Sequence, residues 1–207
     1  FRISERGQTT VITDPYSDAI GLPPLRLKGD IVTISHHAHG HDYVDAVKGF
    51  SYVLDGAGEY EIGGTFLFGY PMHQVEEGHE PHRNIGYLIR YPELTVLHLG
   101  DLRHVPDQST IESLGEVNVM LVPVGGGGGL RASLAAEVIS LIEPQYIVPM
   151  HYALPGLTVL LDPVEKFLKE MGVSKTQEED VLKVTAATLP EQPQVVVLRP
   201  QIKPETV

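Results

Sequence analysis

The sequence contains no cysteine, which excludes disulfide scaffolds, thiolate metal sites and cysteine nucleophiles. Basic residues are also scarce, since 15 Lys and Arg stand against 27 Asp and Glu and give a net charge of −12 at pH 7. That charge repels polyanions, so we expect neither nucleic acid nor an anionic membrane surface as a partner. No apolar run approaches the ~20 residues that cross a bilayer. Because the start of the sequence carries no signal-like segment either, these absences predict a cytoplasmic protein.

One domain spanning residues 1–207 is the simplest organisation. Hydrophobic residues make up 42% of the 207 positions, which is enough for a packed core, and no stretch in the middle is typical of a linker. The sequence begins with Phe1 rather than methionine. We therefore expect the strand that opens this domain to be trimmed.

The apolar patterns predict a strand-rich chain with its helices placed late. Short runs at 30–35 and 117–122 are typical of strands, the second of them buried on both faces. Apolar residues at helical spacing predict a helix that ends before Pro144, and Asp162 followed by Pro163 predicts the start of another. The mixture predicts an α/β or α+β fold in which helices cover sheets.

Histidine is abundant, with ten residues, and four of them lie within six positions: His36, His37, His39 and His41. They follow a strand-like run, so we expect their side chains at the carboxyl end of a sheet, where α/β folds bind ligands. In an extended segment, His37, His39 and His41 would share one face, whereas in a turn other pairs would converge. Either arrangement predicts imidazole nitrogens around one ion, and a solvent-exposed polar loop is the alternative.

Three other positions place a metal-binding residue type directly after an apolar strand: His73, Asp101 and His151. Their recurrence at successive strand ends favours a shared site. A donor set of nitrogen and oxygen atoms suits a divalent metal, zinc in first place, with Mn, Fe or Ni as alternatives. The glycines at 125–129, followed by Arg131 and a helix, predict either an anion-binding loop or a flexible loop beside the site.

Five short motifs occur along the chain: TDPY at 13–16, SHHAHGH at 35–41, PMH at 71–73, HLGDL at 98–102 and PMHY at 149–152. In this order they resemble the metallo-β-lactamase superfamily, and in particular its small stand-alone metal-dependent hydrolases, which include ascorbate-6-phosphate lactonases. The resemblance implies a four-layer αββα sandwich of two mixed sheets flanked by helices. It also implies a site for one or two metal ions where the sheets meet.

The superfamily's first metal-binding motif, His-x-His-x-Asp-His, is matched only in part. A gap-free alignment matches His36 and His41, but it places Ala38 at the second histidine and Gly40 at the aspartate. His39 then becomes the candidate that replaces the missing imidazole.

An alternative alignment, which starts one residue later, matches His37 and His39 but reverses the order of His41 and Asp42. The gap-free alignment is preferred, because the flanking segments then align without an insertion.

The resemblance implies six candidate metal ligands, with His39 included as the substitute, and two of the six also have implied catalytic roles. The implied ligands are His36, His39, His41, His73, Asp101 and His151. Asp101 and His151 are the implied catalytic residues. Asp14, in the TDPY motif, corresponds to a buried aspartate that braces the metal-binding loop.

The implied function is a metal-dependent hydrolase with a small-molecule substrate. A divalent ion would lower the pKa of bound water towards ~7, and the resulting metal-bound hydroxide would attack an ester, lactone, amide or phosphoester. No Gly-x-Ser-x-Gly turn is present, so a serine hydrolase is disfavoured. Ala38 and Gly40 suggest the alternative, a catalytically inactive member that keeps the fold to bind a metal or ligand. The sequence leaves the oligomeric state open.

Overall fold

The computed structural model describes residues 1–72, 82–174 and 176–201, which form two mixed β-sheets, a short two-stranded ribbon and three α-helices. The strands are β1 (Arg2–Ile3), β2 (Val11–Thr13), β3 (Leu27–Lys28), β4 (Ile31–Thr33), β5 (Val47–Lys48), β6 (Tyr52–Leu54), β7 (Gly58–Ile62), β8 (Thr65–Pro71), β9 (Ile85–Arg90), β10 (Thr95–His98), β11 (Val119–Pro123), β12 (Tyr146–Met150), β13 (Gln177–Glu179) and β14 (Gln194–Leu198). The helices are α1 (Gln108–Leu114), α2 (Ala132–Ile142) and α3 (Val164–Glu170). Single 3₁₀ turns lie at Asp18–Ile20, Val44–Ala46 and Ala186–Thr188.

The two sheets differ in size, and each mixes parallel and antiparallel strands. The smaller sheet has the order β1-β2-β4-β6, and the larger has the order β13-β14-β12-β11-β10-β9-β8-β7. In the smaller sheet, β2, β4 and β6 are parallel and β1 is antiparallel to β2. In the larger sheet, β7 to β10 form an antiparallel meander, and the neighbours from β10 through β11, β12 and β14 to β13 are parallel.

Apolar side chains at alternate strand positions build a core between the two sheets. Val11 and Ile31 of the smaller sheet and Ile89 of the larger sheet belong to this core, and all three are fully buried. Successive side chains of a strand point to opposite faces, so the neighbours of these residues face away from it. Tyr87 of β9 also lies in this core, and its hydroxyl donates to the Leu54 carbonyl of β6 at 2.9 Å. This hydrogen bond joins the two sheets.

The helices cover the outer face of the larger sheet. Leu97 and Ile147 on that face share a core with Val138 of α2 and Phe167 of α3, and all four are fully buried. Helix α2 follows the predicted apolar spacing and ends at Ile142, and the next residue, Glu143, takes a left-handed conformation with φ of 53°. None of the helices that the structure describes is long and apolar enough to span a membrane.

The outer face of the smaller sheet is covered differently. Ile12 and Val32 on that face pack with Val47 and with the partly buried Val44. These two residues come from the β3–β5 ribbon and from the 3₁₀ turn at Val44–Ala46. The predicted α/β sandwich of two mixed sheets is confirmed, and α-helices flank the larger sheet as predicted. Among the described residues, a ribbon and a 3₁₀ turn form the fourth layer in place of an α-helix.

The sandwich brings the loops with the predicted site residues to one place. Strands β10, β11 and β12 are parallel, so their carboxyl ends lie at the same edge of the larger sheet. Asp101 follows β10 and His151 follows β12, while the histidine cluster at 36–41 follows β4 of the smaller sheet. The candidate site therefore lies where the two sheets meet.

Tyr87→Phe is expected to lower the free energy of unfolding by about 1 kcal/mol, because the Leu54 carbonyl keeps the N–H of Ile34 but loses the Tyr87 hydroxyl, while the ring still fills the core. Urea-induced unfolding followed by circular dichroism measures the change. The matched control is Tyr70→Phe, which removes a hydroxyl that donates to the Ser113 carbonyl at an exposed position. We expect the control to change stability by less than about 0.5 kcal/mol. Equal losses in both variants would contradict a specific contribution from the hydrogen bond between the sheets.

Candidate metal centre

The histidine cluster forms a turn and not an extended segment. The His41 N–H donates to the Ala38 carbonyl at 2.8 Å, which folds the chain back after β4. The turn brings the rings of His36 and His41 to a centroid distance of 4.1 Å. His37 is exposed, and its Nδ1 lies 3.3 Å from the Asp42 carboxylate. Of the two arrangements that the sequence left open, the turn is the one observed.

His39 lies outside the pair of converging rings. Its side chain is exposed, and its backbone carbonyl accepts hydrogen bonds from the N–H of Ser17 at 2.8 Å and from the Ser17 hydroxyl at 3.2 Å. These bonds fix the backbone of the turn and leave the imidazole at the surface. His39 was expected to replace the imidazole missing from the motif, and this placement does not support that role. Because His37 is exposed as well, the geometry favours the alignment through His36 and His41.

Asp14 directly follows β2 and fixes the histidine turn. Its carboxylate accepts hydrogen bonds from the Ser35 N–H at 2.8 Å, from the Ser35 hydroxyl, and from His41 Nδ1 at 2.7 Å. Since the Ser35 hydroxyl gives its proton to Asp14, it can accept one from His36 Nδ1, which is 3.1 Å away. Both imidazoles are therefore held at Nδ1 and keep Nε2 available as a ligand atom.

Burial and neighbouring charges set the protonation of these groups. Burial by itself would raise the pKa of Asp14, but the hydrogen bond from His41 and the nearby His98 hold that pKa well below its usual range. Burial by itself would lower the pKa of His41, whereas the hydrogen bond to Asp14 raises it. Burial and the neighbouring His41 lower the pKa of His36 to about 4, and burial lowers the pKa of His151. His36 and His151 are thus neutral at pH 7, the form in which imidazole binds a metal.

Asp101 is positioned by a glycine and a buried asparagine. Gly100, just before it, has φ of 59°, and a Cβ there would collide with the side chains of Asn84 and Ser35, so only glycine fits. The Asn84 side chain donates to the Leu99 carbonyl at 3.0 Å and accepts from the Asp101 N–H at 2.9 Å. This role could not be predicted from the sequence, because a single asparagine before a strand carries no metal-site pattern.

His151 follows β12 in a left-handed conformation, with φ of 54°, which is uncommon for a residue with a Cβ. Its Nδ1 lies 3.9 Å from Asp101 Oδ1, and its backbone carbonyl accepts from the Gly125 N–H at 3.0 Å. The glycine loop lies against both side chains, because a Cβ on Gly129 would be 2.5 Å from Asp101 Oδ1 and 3.6 Å from His151 Nδ1. This close approach accounts for the glycine at 129.

Arg103 places a positive charge beside the carboxylate of Asp101. Its Nη2 lies 3.3 Å from Asp101 Oδ2, and its side chain is 43% exposed. A Cβ on Gly128 would be 3.3 Å from the same nitrogen, so the guanidinium also borders the glycine loop. The group therefore faces both the site and solvent, with further N–H donors available.

His82 is a histidine of the site that sequence reasoning missed. Its Nε2 lies 3.4 Å from Asp101 Oδ2, and its ring centroid lies 5.0 Å from that of His36. Its residue type was the only signal in the sequence, because it precedes a strand instead of following one. His73, which was predicted from its PMH context, lies outside the described residues.

Five side chains thus form a closed ring, which we call the five-residue ring. Its members are His36, His41, His151, Asp101 and His82. In that order, ring centroids of neighbouring histidines are 4.1 Å and 5.7 Å apart, and the Nδ1–Oδ1 and Oδ2–Nε2 distances to the aspartate are 3.9 Å and 3.4 Å. The 5.0 Å centroid distance between His82 and His36 closes the ring.

The family model of the beta-lactamase superfamily domain matches residues 1–151, which include every member of the five-residue ring. The chain belongs to the metallo-β-lactamase superfamily. A proposed zinc-dependent hydrolase of this superfamily from Thermotoga maritima is 32% identical, with a TM-score of 0.77, and the match covers 96% of this chain and 93% of that one. The predicted superfamily is confirmed.

Two further proteins are similar to this chain. A UPF0173 metal-dependent hydrolase from Thermococcus kodakarensis is 25% identical over 176 residues, which cover 70% of this chain and 78% of the relative. A metallo hydrolase from the hyperthermophilic archaeon Ignicoccus hospitalis is 22% identical with a TM-score of 0.62, covering 84% of this chain and 88% of that one, and this likeness concerns the fold. The predicted enzyme class, a metal-dependent hydrolase, agrees with the names of the relatives from Thermotoga maritima and Thermococcus kodakarensis.

The five-residue ring of this metallo-β-lactamase superfamily member fits a divalent metal ion. Within the described residues, three of its buried atoms have no hydrogen-bond partner, namely Asp101 Oδ1, His82 Nε2 and His151 Nδ1. An unsatisfied buried polar atom costs about 1–3 kcal/mol, so three such atoms in one place indicate a group that they bind together. Imidazole nitrogen and carboxylate oxygen are the donors that zinc accepts in proteins without thiolates.

Asp14→Asn is expected to weaken divalent-metal binding by about 10–100-fold, because the amide replaces an acceptor oxygen with a donor and no longer holds the imidazoles at Nδ1. Competition with a chromogenic chelator measures the Zn²⁺ dissociation constant. Asp45→Asn is the matched control, since this carboxylate lies exposed in the 3₁₀ turn at Val44–Ala46, and it should bind Zn²⁺ like the wild type. An unchanged dissociation constant in Asp14→Asn would contradict a positioning role for the carboxylate.

Proposed function

We propose that the chain is a metal-dependent hydrolase that cleaves an ester, lactone, amide or phosphoester bond of a small molecule. The observation that carries the proposal is the five-residue ring, in which buried nitrogen and oxygen atoms converge without protein partners among the described residues. The relatives named as hydrolases in Thermotoga maritima and Thermococcus kodakarensis support the same reaction class.

Four of the predicted ligands converge and would hold the ion: His36, His41, Asp101 and His151. Their nitrogen and oxygen atoms favour Zn²⁺, with Mn, Fe or Ni as alternatives. His73 stays in the proposed ligand set on its sequence context alone. The set has enough donors for one ion with an open position, or for two ions that share the carboxylate.

The chain's own groups arrange the reaction around the metal position. When bound, a divalent ion supplies Lewis acidity and a water whose pKa falls towards ~7. The Asp101 carboxylate, whose Oδ1 has no hydrogen-bond partner within the described residues, would help to hold the ion and, with one ion bound, would also accept a hydrogen bond from the attacking water. The Arg103 guanidinium, 43% exposed beside Asp101, donates to the substrate oxygen on which negative charge develops.

The alternative, an inactive member of the fold, was suggested by Ala38 and Gly40, which lack the donor atoms of the superfamily motif. No feature of the described site favours it, because four other predicted ligands still converge.

The cytoplasmic location is also part of the proposal, and it rests on the composition of the sequence.

His151→Ala is expected to lower kcat/KM by about 10³-fold or more, since the lost ligand removes several kcal/mol of transition-state stabilisation. A panel of p-nitrophenyl esters, lactones, amides and bis(p-nitrophenyl) phosphate identifies the bond that the wild type cleaves, and initial rates on that substrate give kcat/KM. Removal of metal with a chelator should abolish turnover, and added Zn²⁺ should restore it.

The matched control for this experiment is His37→Ala, which removes an exposed imidazole that contacts Asp42 and should retain the wild-type kcat/KM. Turnover that persists in His151→Ala, or in protein stripped of metal, would overturn the proposed reaction.

A further inference from the structure

One side chain of the five-residue ring comes from none of the superfamily motifs. We infer that His82 is a metal ligand which, together with His36 and Asp101, forms one binding position for a divalent cation. The inference rests on the proposed metal-dependent function and extends it to a residue that no motif assigns.

The spacing of the three side chains suits one ion. Each offers a ligand atom, and these atoms all lie within 4.8 Å of one another. The distance between His82 Nε2 and Asp101 Oδ2 is 3.4 Å. Two donors that lie at about 2.1 Å from one tetrahedral zinc ion are separated by about 3.4 Å. His82 and Asp101 therefore already have the spacing of two ligands of a shared ion.

The contact between His82 and Asp101 leaves a buried polar atom of each side chain unsatisfied. Within the described residues, the buried His82 Nε2 has no hydrogen-bond partner, and the same is true of Asp101 Oδ1. Asp101 is 4% exposed, and its Oδ2 already accepts a hydrogen bond from Arg103 at 3.3 Å. Such atoms are costly to bury without a partner, and a cation between the imidazole and the carboxylate satisfies them together.

The fold holds His82 beside Asp101 through Asn84, two residues further along the chain. The Asn84 side chain donates to the Leu99 carbonyl and accepts from the Asp101 N–H, at 3.0 Å and 2.9 Å. Asn84 is 1% exposed, so this anchor is part of the core. The segment that carries the imidazole is thus fixed against the turn that carries the carboxylate.

The same segment is also fixed to the histidine turn. The Ile85 N–H donates to the Ser35 carbonyl at 2.9 Å, and Ser35 directly precedes His36. One set of hydrogen bonds therefore places all three ligands. His82 reaches the site from a separate segment and adds an imidazole beside His36 and Asp101.

His82→Ala is expected to weaken Zn²⁺ binding by more than about 100-fold, because the loss of a direct ligand exceeds the loss from a group that only orients one. Competition with a chromogenic chelator on the full chain measures the dissociation constant. Substitution with Co²⁺ gives a second readout, since the visible absorption bands change in position and intensity when a ligand is removed.

The matched control is His39→Ala, the same change at an exposed histidine that the sequence alone had favoured as a ligand. We expect this variant to keep the wild-type dissociation constant and Co²⁺ spectrum. Circular dichroism of the metal-free proteins checks that the variants fold. If His82→Ala does not fold, His82→Gln, which keeps a side chain of similar length, takes its place in both measurements.

Wild-type Zn²⁺ affinity and an unchanged Co²⁺ spectrum in the His82 variant would overturn the inference. A loss of Zn²⁺ affinity that occurs in His39→Ala but not in the His82 variant would overturn it as well. These outcomes are distinct from failure of the proposed function, which requires that the wild type cleaves no test substrate or cleaves one without metal. Weak Zn²⁺ binding by the His82 variant supports the inference whether or not a substrate has been found.

Discussion

The hydrogen bonds that the buried Asp14 carboxylate accepts are the interaction on which the site depends. They fix the point where the chain leaves β4, through the Ser35 N–H, and the orientation of the His41 ring, through Nδ1. The carboxylate lies at a residue with φ of 42°, a conformation that costs about 1–3 kcal/mol outside glycine and persists only where the surroundings over-determine it. The three hydrogen bonds that the Asp14 carboxylate accepts hold the residue in this conformation. Without the carboxylate, the interior would hold unpaired donors and the two imidazoles would lose their common orientation.

The second constraint on the site is the close approach of the loops that contain Gly100 and Gly129 to neighbouring side chains. Gly100 lies where a Cβ would meet Asn84 and Ser35, and Gly129 lies where a Cβ would meet Asp101. Larger residues would push apart the loops that the two sheets bring together. The hydrogen bond from Tyr87 to the smaller sheet and the core between the sheets hold those loops at this distance. The geometry of the site is therefore a consequence of how the two sheets pack.

This chain departs from the superfamily motif at Ala38 and Gly40, and the positions of the other donor atoms explain how a metal site can persist. Ala38 and Gly40 remove two donor groups from the histidine turn, yet the site still contains His82 from a separate segment. A metal ion responds to the positions and types of the donor atoms around it, and not to their order along the chain. Our inference that His82 is a ligand follows from this point.

The sequence by itself determined the superfamily and the strand-rich sandwich, and it predicted that Asp101 and His151 lie close together, as their 3.9 Å distance shows. It could do so because both residues directly follow buried strands, and because the ends of parallel strands meet at one edge of a sheet. The tertiary structure alone decided which histidines of the cluster converge, since the turn closed at His41 leaves His39 at the surface. It also decided that His82 belongs to the site. Local patterns record the burial and propensity of one segment, whereas the distances between segments are set by the packing of the sheets.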